Sequence, residues 1–289
     1  MVLDAARAMK PSTLVDRADN MQESSAMDPE IHAYYETGVE RDRLVQGYSR
    51  IEFERTKELI TRYLAPPPAR VLDVGGGPGA YAAWLADLGY DVRLVDASPL
   101  HVRQALERAE GRFAAVEGDA RHLEEDDESY DAVLLLGPLY HLTERADRVK
   151  ALGEARRVLR PGGVIVAAAI SRFASVLDGL YGGELRDPRF AAIVEHDLAD
   201  GQHRSPPAEG GPFFTTAYFH RPEELSAEVE VAGFALVGLF GVEGPGWLLA
   251  ERLENVEARR DILTAARLLE TEPSVVGASA HMLAIGRVR

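Results

Sequence analysis

Short apolar runs alternate with amphipathic stretches between residues 70 and 170. Each apolar run has the length of a buried strand, and the stretches between them carry apolar residues at helical spacing. Strands that alternate with helices in this way predict a mostly parallel sheet with helices on both faces. The predicted strands are 70–74, 92–95, 113–116, 132–136 and 164–170, and the predicted helices are 81–88, 98–109 and 152–159.

The alternation stops after residue 170 and resumes only at residue 222. Residues 171–221, here called the insertion, are rich in glycine, proline and aromatic side chains, which indicates an irregular segment. The chain then continues as helix 222–232, strand 235–240, helix 252–269 and strand 280–288. Because a long connection separates the last two strands, we expect them to form an antiparallel pair at one edge of the sheet.

These elements predict an α/β protein with a seven-stranded, mostly parallel, Rossmann-like sheet. Residues 51–289 are expected to form the main domain, with the insertion as part of a cap over its site. Residues 1–50 are expected to supply the rest of that cap. The first 29 residues lack sustained periodicity and are predicted to be a loosely attached start.

Composition narrows the range of partners and of chemistry. The 289 residues carry a formal net charge of −15, which disfavours nucleic acid and anionic membranes as partners. The chain has no cysteine, so disulfides, thiolate metal sites and a cysteine nucleophile are excluded. No apolar run has the length of a signal peptide core or a membrane span, which predicts a cytoplasmic protein. A small-molecule substrate is expected, and both a monomer and a homodimer stay open.

A glycine loop follows the first predicted strand, in V-L-D-V-G-G-G-P-G at residues 71–79. Glycine spacing alone also fits a dinucleotide site, because Gly75, Gly77 and Ala80 match G-x-G-x-x-A. Two neighbours oppose a pyrophosphate: Pro78 removes a backbone N–H donor, and Asp73 directs a carboxylate toward the ligand. Both features suit S-adenosylmethionine, which is cationic and carries no phosphate.

Two further carboxylates stand at the ends of the next two predicted strands. Asp96 follows the loop by about 20 residues, where an acidic side chain can accept both hydroxyls of a ribose. Asp119 can accept a hydrogen bond from an adenine amino group. Each carboxylate alone could be a helix cap or a turn residue, but three at successive strand ends favour a nucleoside-binding site.

Together these motifs resemble the class I methyltransferase family, in its small-molecule branch. The resemblance covers residues 50–170 closely and includes V-R-L-V-D, E-G-D-A, Y-D-A-V-L-L-L-G-P-L-Y-H-L and V-L-R-P-G-G. It implies S-adenosyl-L-methionine as cofactor and S-adenosyl-L-homocysteine as product. The cofactor site implied by the resemblance comprises the loop residues Gly75, Gly77 and Gly79, the ribose and adenine contacts Asp96, Ala97, Asp119 and Ala120, and Leu136 and Gly137 beside the methionine part.

Other positions complete or modify that site. Asp73 is expected to face the cofactor. His101 stands where this branch of the family often has a methionine that packs against the adenine. The alternative for His101 is a surface position on a helix. The segment Y-Y-E-T-G-V-E-R-D-R-L at residues 34–44 is similar to one that covers the cofactor in related enzymes. It suggests Tyr35 and Arg43 as cofactor contacts, with a solvated helical face as the alternative.

Methyl transfer requires alignment more than a fixed catalytic signature. Tyr140 and His141, at the end of the fourth strand, are candidate base or orienting residues, unless they only pack beside the cofactor. His196, between Glu195 and Asp197, is the second candidate base because a neighbouring carboxylate can raise its basicity. No metal site is expected.

The aromatics of the insertion favour an aromatic or heteroaromatic acceptor, and similar bacterial secondary-metabolism enzymes suggest an indole. The alternatives are a protein that binds the cofactor without catalysis and a nucleotide-dependent oxidoreductase.

Overall fold

The computed structural model describes residues 27–47, 49–205 and 213–289, so residues 1–26 of the loose start predicted at residues 1–29 lie outside them. The strands are β1 (Arg70–Val74), β2 (Asp91–Asp96), β3 (Ala114–Glu117), β4 (Tyr130–Leu135), β5 (Leu159–Ile170), β6 (Gln202–His203), β7 (Ala217–Tyr218), β8 (Phe234–Gly241) and β9 (His281–Val288). The α-helices are α1 (Pro29–Glu36), α2 (Ser49–Tyr63), α3 (Ala80–Asp87), α4 (Pro99–Ala109), α5 (Pro138–His141), α6 (Arg145–Val158), α7 (Ala174–Gly182), α8 (Pro188–Asp200), α9 (Pro222–Val231) and α10 (Val256–Leu269). Short 3-10 helices cover Val39–Val45, Glu184–Arg186, Gly244–Arg252 and Val276–Ala278.

Seven of the strands form one sheet in the order β3-β2-β1-β4-β5-β9-β8. The first five are parallel to one another, and β9 runs antiparallel to both of its neighbours. The predicted fold class is therefore confirmed, as is the antiparallel pairing of the last two strands. Because β9 lies between β5 and β8, only β8 forms that edge of the sheet.

Side chains that alternate along the strands divide the core into two layers. Val71 and Leu134 pack on the side of α2, α3 and α4, whereas Leu72 and Val133 pack on the side of α6 and α9. A strand covered on both faces is apolar at nearly every position, which explains the continuous apolar runs in the sequence. Asp73 is the exception in β1, and it faces the site.

The insertion is more regular than the sequence indicated, and the expectation of an irregular segment is wrong. It contains α7, α8 and a small antiparallel ribbon of β6 and β7. The start of α8 has a local signal, since Asp187 caps it by accepting a hydrogen bond from the Arg189 N–H at 2.9 Å. Aromatic side chains of the insertion pack against one another. Its helices therefore carry aromatic residues that an isolated amphipathic helix would not need.

Two buried arginines attach the insertion to the main domain. Arg172 donates to the carbonyl oxygen of Phe219 at 2.6 Å and to Glu224 of α9 at 2.8 Å. Arg148 of α6 pairs with Glu228 of α9 at 2.8 Å, and its guanidinium lies 3.7 Å from the ring centre of Tyr218. Among the described residues, no helix has both the length and the apolar character required to cross a membrane.

Candidate functional site

The glycine loop bends tightly between β1 and α3 over the ends of the neighbouring strands. Its Gly75 has a φ of +67° and donates to the carbonyl oxygen of Val95 at 2.7 Å. A Cβ at Gly75 would collide with the ring of Pro138, and one at Gly76 would lie 2.6 Å from Asp73 Oδ2. Only glycine leaves room for the backbone to approach the cavity at these two positions.

A cavity of about 950 Å³ opens between this loop and the N-terminal segment. The ends of β1, β2 and β4 form its floor, which is where open α/β sheets bind their ligands. Most of the predicted cofactor residues line it. These are Tyr35, Arg43, Asp73, Gly75, Gly77, Asp96, Ala97, His101, Asp119, Ala120, Leu136 and Gly137, together with the catalytic candidates Tyr140 and His141.

Gly79 and His196 lie elsewhere. Gly79 adopts a φ of +79° before α3 and packs behind the loop against Ala105 and Phe113, so its role is to turn the chain. His196 is exposed on α8 and does not line the cavities beside the loop and the insertion. The prediction of His196 as a base is corrected on this ground, because a base must reach the acceptor.

Asp73 is fully buried, and neither carboxylate oxygen has a hydrogen-bond partner among the described residues. Burial and the nearby Asp96 carboxylate raise the pKa of Asp73 to about 7. A carboxylate in this position would be stabilised by a cation in the cavity, since an opposite charge favours the ionised form.

Asp96 ends β2 with both carboxylate oxygens partly satisfied by the protein. One accepts from the Gly77 N–H at 2.8 Å, and the other accepts from the Ser98 N–H at 2.8 Å and lies 3.2 Å from His101 Nδ1. His101 is buried, so the alternative of a surface helix position is wrong. Its ring meets the ring of Tyr35 edge-on at 4.8 Å, which places both rings at the wall of the cavity.

Asp119 and Arg43 line the cavity with their charges already paired. Asp119 accepts from the Arg121 guanidinium at 2.7 Å and from the Arg121 N–H at 2.8 Å. Arg43 binds Glu52 at 2.6 Å and Glu40 at 2.8 Å, and the two carboxylates hold its pKa well above the usual range. A ligand would therefore share these side chains with their present partners.

Tyr35 of α1 and His141 of α5 are hydrogen-bonded to each other across the cavity. Burial lowers the pKa of His141 to about 4, so the imidazole is neutral at neutral pH. Its Nδ1 faces the carbonyl oxygen of Thr216 at 3.5 Å, an arrangement in which Nε2 accepts from the Tyr35 hydroxyl. Thr216 also bonds Glu30 of α1 at 2.6 Å, which ties the helix to the insertion.

A second cavity of about 260 Å³ adjoins the first, between α1, the insertion and the end of β5. Five residues line both cavities and thereby connect them: Tyr35, Glu40, Arg43, Tyr140 and His281. Aromatic rings dominate the second cavity. They belong to Tyr34, Tyr35, Tyr140, Phe190, Phe213, Phe214, Phe219 and Trp247.

The sequence analysis missed a buried charged cluster between the two cavities. His281 Nδ1 lies 2.6 Å from Glu243 and 3.9 Å from Glu52, and these carboxylates raise its pKa to about 9. The three side chains have the spacing of metal ligands, which the sequence did not suggest. However, Arg43 and the His281 imidazolium already neutralise the two glutamates. No local signal could have grouped residues that are so distant in sequence.

Comparison with known proteins places the central part of the chain among methyltransferases. Residues 71–163 match a family model described as a methyltransferase domain. A demethylmenaquinone methyltransferase of Deinococcus radiodurans is 31% identical over 182 residues, which cover 59% of this chain and 70% of that protein. The methyltransferase GfsG of Streptomyces halstedii is 32% identical over 54% of this chain and 55% of its own length.

Solved structures agree with the fold. A SAM-dependent methyltransferase from Methanosarcina mazei superposes with a TM-score of 0.56 at 18% identity, covering 80% of this chain and 96% of that one. The chain spans about half the length of several curated relatives that it matches. The family model itself covers residues 71–163, which include the glycine loop and strands β2, β3 and β4.

Proposed function

The chain belongs to the class I S-adenosylmethionine-dependent methyltransferase family, and we propose that it transfers the methyl group of S-adenosylmethionine to a small aromatic acceptor. The observation that carries the proposal is the buried, unpartnered Asp73 carboxylate beneath the glycine loop. The α-ammonium group of the cofactor is a cation that would satisfy it. At Gly75 and Gly76 a side chain would clash with Pro138 and Asp73, so the backbone itself forms this part of the wall beside Asp73.

The other cofactor contacts follow from the residues that line the larger cavity. We assign the ribose hydroxyls to Asp96 and Ala97, and the adenine to Asp119, Ala120 and His101. Leu136 and Gly137 would flank the methionine part, whose carboxylate would reach Arg43. These assignments are supported by the position of each side chain in the cavity wall. The pyrophosphate of a dinucleotide would instead meet Asp73, which disfavours the oxidoreductase alternative.

The second cavity supports catalysis over cofactor binding alone. A protein that only bound the cofactor would not need an adjoining space, and here the two spaces share Tyr35 and Tyr140. The aromatic lining favours a flat aromatic or heteroaromatic acceptor, including an indole, because offset and edge-on ring contacts add to burial. We therefore assign residues 27–47 and the insertion to a cap, and we propose a cytoplasmic small-molecule enzyme of bacterial secondary metabolism.

When bound, S-adenosylmethionine supplies an electrophilic methyl carbon on a sulfonium sulfur. The chain's own residues would align the acceptor and exclude water from the junction of the cavities. The low pKa of His141 makes it a weak proton acceptor, so we assign it an orienting role that fixes Tyr35. Burial keeps the pKa of Tyr140 well above its usual range, which leaves its hydroxyl as a donor at the junction.

Calorimetry with S-adenosylhomocysteine and with NAD tests the cofactor assignment. We expect S-adenosylhomocysteine to bind and NAD to give no heat. The reverse result would contradict the proposal. Transfer of a labelled methyl group from S-adenosylmethionine to a panel of phenols and indoles then tests catalysis, and binding without transfer to any acceptor would favour the non-catalytic alternative.

A further inference from the structure

A buried histidine of the insertion lies in the wall of the second cavity and has no role in the site described so far. His203 is 2% exposed, and its ring stacks on Phe219 at 4.7 Å with an interplanar angle of 11°. Its Nδ1 lies 2.9 Å from Asp197 Oδ2, and Asp197 is fully buried. The His203 Nε2 atom is buried without a hydrogen-bond partner among the described residues.

The local fold brings this pair together. Helix α8 ends at Gly201, which adopts a φ of +83° and reverses the chain. The turn places His203 over Asp197, which lies on the preceding turn of the helix. Ser175 of α7 donates to the same oxygen of Asp197, Oδ2. The sequence analysis considered His196 beside a neighbouring carboxylate and did not single out the pair of His203 and Asp197.

The contact with Asp197 indicates which nitrogen of the His203 ring donates a hydrogen bond and which one accepts. A carboxylate accepts hydrogen bonds, and the tautomer of His203 that donates to Asp197 carries its proton on Nδ1. The Nε2 atom then carries a lone pair and can only accept. His281, which also lines this cavity, has its pKa raised to about 9 and offers donors. In this tautomer His203 presents a hydrogen-bond acceptor in an aromatic wall.

Building on the proposed function, we propose that His203 recognises the methyl acceptor, its Nε2 accepting a hydrogen bond from an O–H or N–H group of an aromatic ring held in the second cavity. A phenol or an indole N–H meets this requirement. A ring whose donor has been alkylated does not, and it would leave a buried acceptor unsatisfied. Such mismatches strongly reduce affinity, because the desolvation of the unpaired group is not offset.

Matched probe pairs test this inference without an identified substrate. We would measure the binding of 2-naphthol and 2-methoxynaphthalene, and of indole and 1-methylindole, to the full-length protein with saturating S-adenosylhomocysteine. The wild-type protein should bind the donor-bearing member of each pair about 10-fold more tightly. Equal affinity within both pairs, or no binding of any probe, would overturn the inference.

Two variants locate the effect at the proposed atom. In His203→Asn the side-chain amide can still donate to Asp197, but the acceptor at the Nε2 position is lost, so the preference should fall to within about 2-fold. His196→Asn, at an exposed position on α8, should keep the wild-type preference. An unchanged preference in a folded His203→Asn protein would contradict the proposal.

The failure of the proposed function is distinguishable from the failure of this inference. If S-adenosylhomocysteine does not bind the wild-type protein in calorimetry, the cofactor assignment is wrong. If it binds while the probes show no preference for a donor, only the role of His203 is wrong. The wild-type probe comparison does not depend on the stability of any variant.

Discussion

The hydroxyl of Tyr35 and the imidazole of His141 are hydrogen-bonded across the larger cavity, although 105 residues separate them in the chain. Their rings cross nearly at right angles, with centroids 5.2 Å apart and an interplanar angle of 86°. One belongs to the N-terminal helix and the other to the short helix after β4. The bond therefore joins the segment above the cavity to the floor of the site.

This bond predicts that Tyr35 and His141 act as a unit. Tyr35→Phe should lower the free energy of unfolding by about 1 kcal/mol and weaken S-adenosylhomocysteine binding about 5-fold, because the closed position of α1 loses one attachment. Chemical denaturation and calorimetry on the two single variants and on Tyr35→Phe/His141→Asn measure the coupling. The double variant should lose less than the sum of the singles. Additive losses would contradict the coupling, and Tyr34→Phe is the matched control.

The low pKa of His141 predicts a dependence of stability on pH. Between pH 6.5 and about 4 the unfolded chain binds a proton at this residue that the folded protein does not bind. Acidification through this range should therefore cost up to about 3 kcal/mol of unfolding free energy. Denaturation curves at several pH values, compared between the wild type and His141→Asn, check it. Parallel pH profiles for the two proteins would contradict the assignment.

The position of Asp73 predicts that its substitution raises the stability of the ligand-free protein but weakens cofactor binding. Its pKa of about 7 in the folded protein lies above the unfolded value, so ionisation on raising the pH destabilises the fold. Asp73→Asn should stabilise the ligand-free protein at pH 8 by roughly 1 to 4 kcal/mol and by less at pH 5.

The same substitution should weaken S-adenosylhomocysteine binding at least about 10-fold, because the α-ammonium loses its counter-charge. Thermal denaturation and calorimetry measure the two effects. Asp126→Asn, at an exposed position, is the control and should change neither. Tight binding by Asp73→Asn would remove this residue from the cofactor site.

Variants of Arg43 and Glu52 can separate two roles of Arg43, which are to neutralise Glu52 and to bind the cofactor. Arg43→Met leaves the buried Glu52 carboxylate without its main cation and should cost about 3 kcal/mol of unfolding free energy. Adding Glu52→Gln should recover most of that loss. Cofactor affinity, measured by calorimetry, should stay low in the double variant if Arg43 binds the cofactor's carboxylate. Recovery of both stability and affinity would show that Arg43 acts only through Glu52.

The architecture of the sheet and the position of the glycine loop could be predicted from the sequence because their signals are local. A strand buried on both faces must be apolar throughout, and Ser98 caps α4 as its position before Pro99 suggested. Parallel strands bring their carboxyl ends to the same edge of the sheet, so the sequence alone was enough to place Asp73, Asp96 and Asp119 together.

The residues between the two cavities depend on contacts that no local pattern encodes. His281, Glu243 and Glu52 come from the last strand, the segment after β8 and the second helix, and they meet only because β9 inserts between β5 and β8. His203 faces Asp197 because Gly201 reverses the chain, whereas His196, beside the same carboxylate in sequence, points to solvent from an exposed position on the helix. Adjacent residues on a helix diverge by about 100°, so sequence neighbours need not share a site.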